Sequence, residues 1–217
     1  MQPERIYTTA PRPRRSFAGE ALRTVAIVAI VVAITRVFFS PFEVDGRSMT
    51  PSLQDQERIF VNRAQFLAID VGGWLDRLPY VTVDADWTWR PFGMPDRGDI
   101  VVLDPPASSD DPYIKRVIGL PGETVTFADG RVLIDGVPLD EPYLAEMDTT
   151  CRGSWCAMGP IPDGMVYVLG DNRNNSADSR AFGPVAIDHL VGQAWFVNWP
   201  ISLFGLIRDV DYEAAAD

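Results

Sequence analysis

From Pro41 onward the chain contains no long stretch in which apolar residues recur at helical spacing. It has instead short runs rich in Val, Ile and Phe, at 58–61, 99–103, 113–118, 124–127, 131–134, 165–169 and 192–199, separated by Gly, Pro and Asp. β-Branched and aromatic residues suit a pleated, half-buried surface, and runs of this length between turn formers read as strands. Asp129-Gly130 and Asp135-Gly136 stand between such runs. Asp-Gly supplies the positive φ angles of a tight hairpin, so 124–139 reads as a meander of short strands. The 18 prolines sit largely at run boundaries, where a missing N–H breaks no ladder. The expected fold is mostly β, an antiparallel body with few short helices. Segment 70–97, rich in Trp and Gly, shows no pattern and reads as an insertion whose aromatics either face a bilayer surface or pack on the sheet.

The amino end differs in kind. Residues 1–40 hold six arginines against Glu4 and Glu20, a net +4, so the chain total of −11 leaves −15 on the rest. The stretch from Thr24 to Thr35 is apolar between its threonines but only 12 residues long. Extending it to 17–39 gives 23 residues and admits Glu20, Arg23 and Arg36. A bilayer core needs roughly 20, and arginines near helix ends can reach the headgroups. A cleaved signal peptide would show small residues at its cleavage site, whereas Arg36-Val37-Phe38-Phe39-Ser40-Pro41-Phe42 is bulky. The expected organisation is a basic cytoplasmic tail at 1–17, a membrane-spanning anchor at 18–39 and an extracytoplasmic body at 40–217. The tail arginines hold the amino end in the cytoplasm.

Composition removes other classes. Hydrophobic residues make up 47% and charged residues 23%, which is globular rather than disordered. A pI near 4.5 speaks against a general nucleic-acid binder. One histidine, His189, and two cysteines leave no set of ligands for a zinc site. Cys151 and Cys156 read as a small-loop disulfide in an exported body, with two free thiols as the alternative in a reducing compartment.

Three segments are neither plain strand nor plain turn. In the first, 45–53, Pro51 suits the first position of a helix, which would place Ser48 between a strand end and a helical turn. Backbone N–H groups there could stabilise an oxyanion beside an exposed hydroxyl, although composition by itself reads Ser48 more readily as a cap. In the second, 113–122, the single lysine of the chain, Lys115, stands in an apolar strand among 18 arginines elsewhere. Strand alternation puts Ile114 on one face and Lys115 with Val117 on the other. Burial would lower the lysine pKa and make it a base, a part arginine cannot play. The bland alternative is a surface lysine protecting an edge strand. The third, 170–180, is dense in Asp, Asn, Ser and Arg. Ion pairs among Asp171, Arg173, Asp178 and Arg180 could stiffen it, and Ser176 could orient a neutral amine. Calcium competes, but the spacing lacks the Gly and distant Glu of an EF-hand loop.

In this order, behind an anchor, the three segments resemble type I bacterial signal (leader) peptidases of the Ser/Lys class. The resemblance runs from the anchor through Val197. It rests on Ser48-Met49-x-Pro51, Lys115-Arg116-x-x-Gly119-x-Pro121-Gly122 and 170–180, with Arg97-Gly98-Asp99-Ile100-Val101-Val102 similar to a further structural strand. It implies a membrane-anchored serine endopeptidase that removes signal peptides from exported preproteins, with 40–217 as its periplasmic catalytic domain. Ser48 would be the nucleophile and Lys115 the general base. Ser176 would hydrogen-bond the lysine amine, Asp178 and Arg180 would form a supporting ion pair, and the Ser48 backbone N–H would serve the oxyanion. Phe42, Val44 and Ile114 would line shallow pockets for small residues. No metal and no organic cofactor is implied. The partners would be preprotein signal peptides and the lipid bilayer, near the export translocon of a bacterial inner membrane, and not nucleic acid. Two departures stand out: Gly46 supplies no side-chain hydroxyl to the oxyanion site, and Asn174 occupies a position where aspartate is common. The alternatives are a specialised paralogue serving a pilin or conjugation protein, a Ser-His-Asp hydrolase through His189, and an anchored binding module.

Overall fold

The computed structural model describes residues 17–76, 88–104, 111–145, 148–207, 210 and 212. Nearly all of the basic tail, and 77–87 of the Trp-rich insertion, lie outside the described residues. The chain divides into two units, Met1–Val37 and Phe38–Asp217.

The described part of the first unit belongs to helix α1, Phe17–Phe38, which starts one residue earlier than the expected anchor. Its 22 residues span about 33 Å at 1.5 Å each, enough for a bilayer core of about 30 Å. Apolar side chains surround it, so no face selects a protein core. Its threonines turn inward: Thr24 Oγ1 donates to Glu20 O at 3.0 Å and Thr35 Oγ1 to Val32 O at 2.9 Å. A hydroxyl satisfied by its own helix adds little to the cost of an apolar setting.

In the second unit the chain enters strand β1, Phe39–Glu43, then β2, Arg58–Asn62. The former insertion contributes β3, Ile69–Asp70, a short helix α2, Val71–Leu75, and β4, Thr88–Trp89. Asp70 accepts a hydrogen bond from Gly73 N and so starts α2. Trp89 and Phe92 are exposed rather than packed on the sheet. Next come β5, Ile100–Leu103, and β6, Tyr113–Gly119, then the expected meander β7, Val125–Ala128, β8, Arg131–Ile134, and β9, Val137–Pro138. At both turns the Asp and the Gly have positive φ, 51° and 75° at 129–130, 51° and 83° at 135–136, the two-residue geometry that Asp-Gly favours. The chain closes with β10, Ala157–Met158, β11, Met165–Leu169, helix α3, Ser179–Phe182, β12, Val185–Ala186, β13, Leu190–Trp199, and β14, Gly205–Leu206.

The main sheet has eight strands in the order β1-β2-β13-β5-β6-β11-β12, with β14 also on β13, and the meander joins β10 in a separate sheet of four. Every pairing among the described residues is antiparallel. Strand β5 is buried along its whole length because both faces are covered, which is why it reads as a continuous apolar run. Ile100 and Val102 meet one core with Met49 and Leu53, whereas Val101 and Leu103 meet another with Val117 and Val168.

Candidate active site

Ser48 stands on a loop whose base is part of the sheet. Val44 N donates to Glu57 O and Gln56 N to Val44 O, both at 2.8 Å, so the chain must reverse between these residues. That leaves room for one tight turn, closed by Leu53 N donating to Met49 O at 3.0 Å. The helical turn expected after Ser48 is this single i→i−4 turn over 48–52; no helix follows it. Met49 and Leu53, fully buried, pin it to the core.

Lys115 lies on β6, between β5 and β11 and opposite Val101. It is not an edge lysine, and its exposure is 3%. The amine Nζ is 3.0 Å from Ser48 Oγ and donates to Ile114 O at 2.8 Å. It also stands 5.2 Å from the centre of the Tyr113 ring. Burial brings the lysine pKa down from 10.5 to about 8, against the charges of Asp178 and Asp171, which hold it up.

The 170–180 loop closes over this pair. A Cβ on Gly170 would lie 2.2 Å from Ser176 Oγ and 2.6 Å from Ser48 O, so only glycine lets the loop approach the serine turn. Asn172 N donates to Ser48 O at 2.9 Å. Asp178 is fully buried; it accepts from Gly170 N at 3.1 Å and pairs with Arg180 at 2.7 and 2.8 Å. The expected bond from Lys115 to Ser176 is not formed. Ser176 Oγ is buried and has no hydrogen-bond partner among the described residues. Asn174 is exposed and accepts from Thr150 Oγ1 at 3.3 Å, with no ion pair to make.

A cleft of about 370 Å³ opens beside Ser48 and Lys115, walled by Phe42, Val44, Ile114, Tyr113 and Val102, with Glu43, Asp45 and Asp111 also lining it. All three residues expected in the substrate pockets are there. It is an open groove with a serine hydroxyl, a buried amine and apolar walls.

A family model described as signal peptidase, peptidase S26, matches residues 18–199. The chain belongs to the signal peptidase family. It is similar to signal peptidase I S of Bacillus subtilis, 34% identical over 197 residues, 87% of this chain and 92% of that one. It is similar also to a signal peptidase I of Bacillus amyloliquefaciens, 35% identical over 185 residues, 81% and 85% of the two chains. A solved signal peptidase I from Enterococcus faecalis is 37% identical, covers 46% of this chain and 97% of that chain, and superposes with a TM-score of 0.42. The enzyme class is thus that of signal peptidase I, a serine peptidase that cleaves signal peptides.

In this signal peptidase family member His189 is exposed at the end of a short 3-10 helix, Ile187–His189, and is not among the cleft lining, and Asp188 pairs with Arg90 instead. The Ser-His-Asp alternative finds no geometry. Cys151 and Cys156 form a disulfide, as expected. Gly153 in its loop rests on Arg180, whose carbonyl oxygen a Cβ would approach to 2.0 Å. The ion pairs foreseen within 170–180 are corrected in part. Only Asp178–Arg180 is internal to the loop; Asp171 pairs with Arg116 and Arg173 with Glu141, all four buried. Their partners come from segments far apart in sequence, and no local pattern announces them. Arg116 stands beside Lys115 in the motif, but its burial and its stacking on Tyr143, at 4.0 Å, follow only from the assembled sheet.

Proposed function

We propose that this enzyme cleaves preproteins with Ser48 as nucleophile and Lys115 as general base. The observation that carries the reading is the 3.0 Å contact between Lys115 Nζ and Ser48 Oγ at the wall of the cleft, with the amine buried and its pKa lowered. Once neutral, the amine accepts the Ser48 proton as Oγ attacks the scissile carbonyl, while Ile114 O holds one N–H and fixes the lone pair toward the serine. The proton passes to the leaving amine, and the acyl-enzyme is hydrolysed by water activated at the same nitrogen. Ser176 Oγ, buried and unpartnered among the described residues, is the hydroxyl suited to the remaining N–H. The Ser48 backbone N–H serves the oxyanion, and Gly46 adds no hydroxyl beside it. Asp178 and Arg180 hold the loop that carries Ser176.

A substrate strand lying along the cleft presents small residues at −1 and −3 to pockets walled by Phe42, Val44 and Ile114. Helix α1 spans a bacterial inner membrane with the amino end in the cytoplasm, as the four arginines of the tail against Glu4 favour, and holds the site on the outer face near the export machinery. Processing of a narrow set, such as a pilin or conjugation protein, is the second reading; the modest cleft suits either. The test is cleavage of one preprotein by four forms. Ser48→Ala and Lys115→Arg should be inactive, and His189→Ala should keep most of the activity. An active Lys115→Arg with an inactive His189→Ala refutes the dyad. A panel of varied preprotein junctions separates general from specialised processing.

A further inference from the structure

Beyond the dyad contact and its own buried apolar pins, the serine turn is tied to the body by two polar tethers, and both lead to one ion pair. At one end of the turn, Ser48 O accepts from Asn172 N, the residue after Asp171. At the other, Ser52 Oγ accepts from Arg116 Nη2 at 3.1 Å. Arg116 in turn grips Asp171 through Nε at 2.9 Å and Nη2 at 2.7 Å, and donates through Nη1 to Gly98 O at 2.8 Å. Bonds in three directions, with the Tyr143 ring stacked on one face, leave this guanidinium a single position. Arg116 is also the residue after Lys115, so the body end of the tether is one peptide from the base.

We infer that Ser52 is a positioning residue, held by the Arg116–Asp171 pair, that sets the distance between Ser48 Oγ and Lys115 Nζ. The linkage is a closed frame. Its sides are the Lys115-Arg116 peptide, the Arg116–Ser52 hydrogen bond and the turn from Ser52 back to Ser48, itself closed by Leu53 N on Met49 O. Ser52 does not touch the substrate cleft. It lines a separate cavity of about 930 Å³ whose walls share no residue with the cleft, so its effect on catalysis runs through the turn. The inference rests on the dyad reading and adds to it what holds the dyad in register.

The experiment measures peptide cleavage by the full chain carrying Ser52→Ala or Ser52→Thr, beside Lys115→Arg. Loss of the tether should lower kcat about tenfold, the scale expected when reacting groups are misplaced by a fraction of an ångström, with KM unchanged. Ser52→Thr, which keeps the hydroxyl, should restore kcat. The thermal midpoint should not move with Ser52→Ala, and substrate peptide should bind Ser48→Ala equally well with or without the second change. An undiminished Ser52→Ala beside a dead Lys115→Arg overturns the tether and leaves the dyad standing. A rise in KM with a fallen thermal midpoint, or no rescue by threonine, also overturns it. A cleaving Lys115→Arg refutes the dyad and takes the inference with it.

Discussion

The pH dependence of cleavage follows from the burial of one amine. With an ordinary value of 10.5, lysine is neutral in about 0.03% of molecules at pH 7; at about 8 the fraction is about 9%. Burying Lys115 therefore yields about 300 times more neutral amine at pH 7, equivalent to about 3 kcal/mol at 1.36 kcal/mol per pKa unit. Initial rates on a soluble peptide, taken from pH 5.5 to 9.5, should climb about tenfold per unit below pH 7 and flatten above about 8. The same shift links to stability. The folded pKa lies below the unfolded value, so between about 8 and 10.5 the unfolded chain binds more protons and stability rises with pH. Below about 8 the cost of the buried charge is fully present. Lys115→Met should thus abolish cleavage yet raise the stability measured by denaturant at pH 7, by up to about 3 kcal/mol, and remove the rise between pH 8 and 10. A pH dependence that vanishes in His189→Ala would refute this reasoning, because the amine would then not be the titrating group. So would a rate independent of pH through the 6–8 range.

Gly170→Ala places a methyl 2.2 Å from Ser176 Oγ and 2.6 Å from Ser48 O; it should cost about 1–3 kcal/mol of stability by chemical denaturation and most of the activity. Ile114→Ala removes part of the cleft wall and should admit larger residues at the cleavage site, read from competition between preproteins with Ala or Leu at −1; an unchanged preference removes Ile114 from the pocket. Glu141→Gln leaves Arg173, only 4% exposed, with an uncompensated charge. Breaking such a pair should cost about 3–5 kcal/mol in urea unfolding, far more than Arg58→Ala in the exposed pair with Glu43.

The sequence by itself determined the elements whose cause is local. The strand runs, the two Asp-Gly turns and the long apolar helix were legible because side-chain period, turn chemistry and helix length act within a few residues. Lys115 was visible as an oddity, one lysine among arginines, and Ser48 as a serine between a strand and a proline. Several things waited for the tertiary structure. Whether β6 was an edge or a central strand decided between a surface lysine and a buried amine, and that depends on β5 and β11, which are set by pairings across the chain. The place of the turn at 48–52 was set by Val44 meeting Gln56 and Glu57 at the base of its loop. The buried pairs Arg116–Asp171 and Arg173–Glu141 join residues 55 and 32 positions apart. Charges can be kept in the core only where partners arrive together, and only the folded sheet and its loops bring them there.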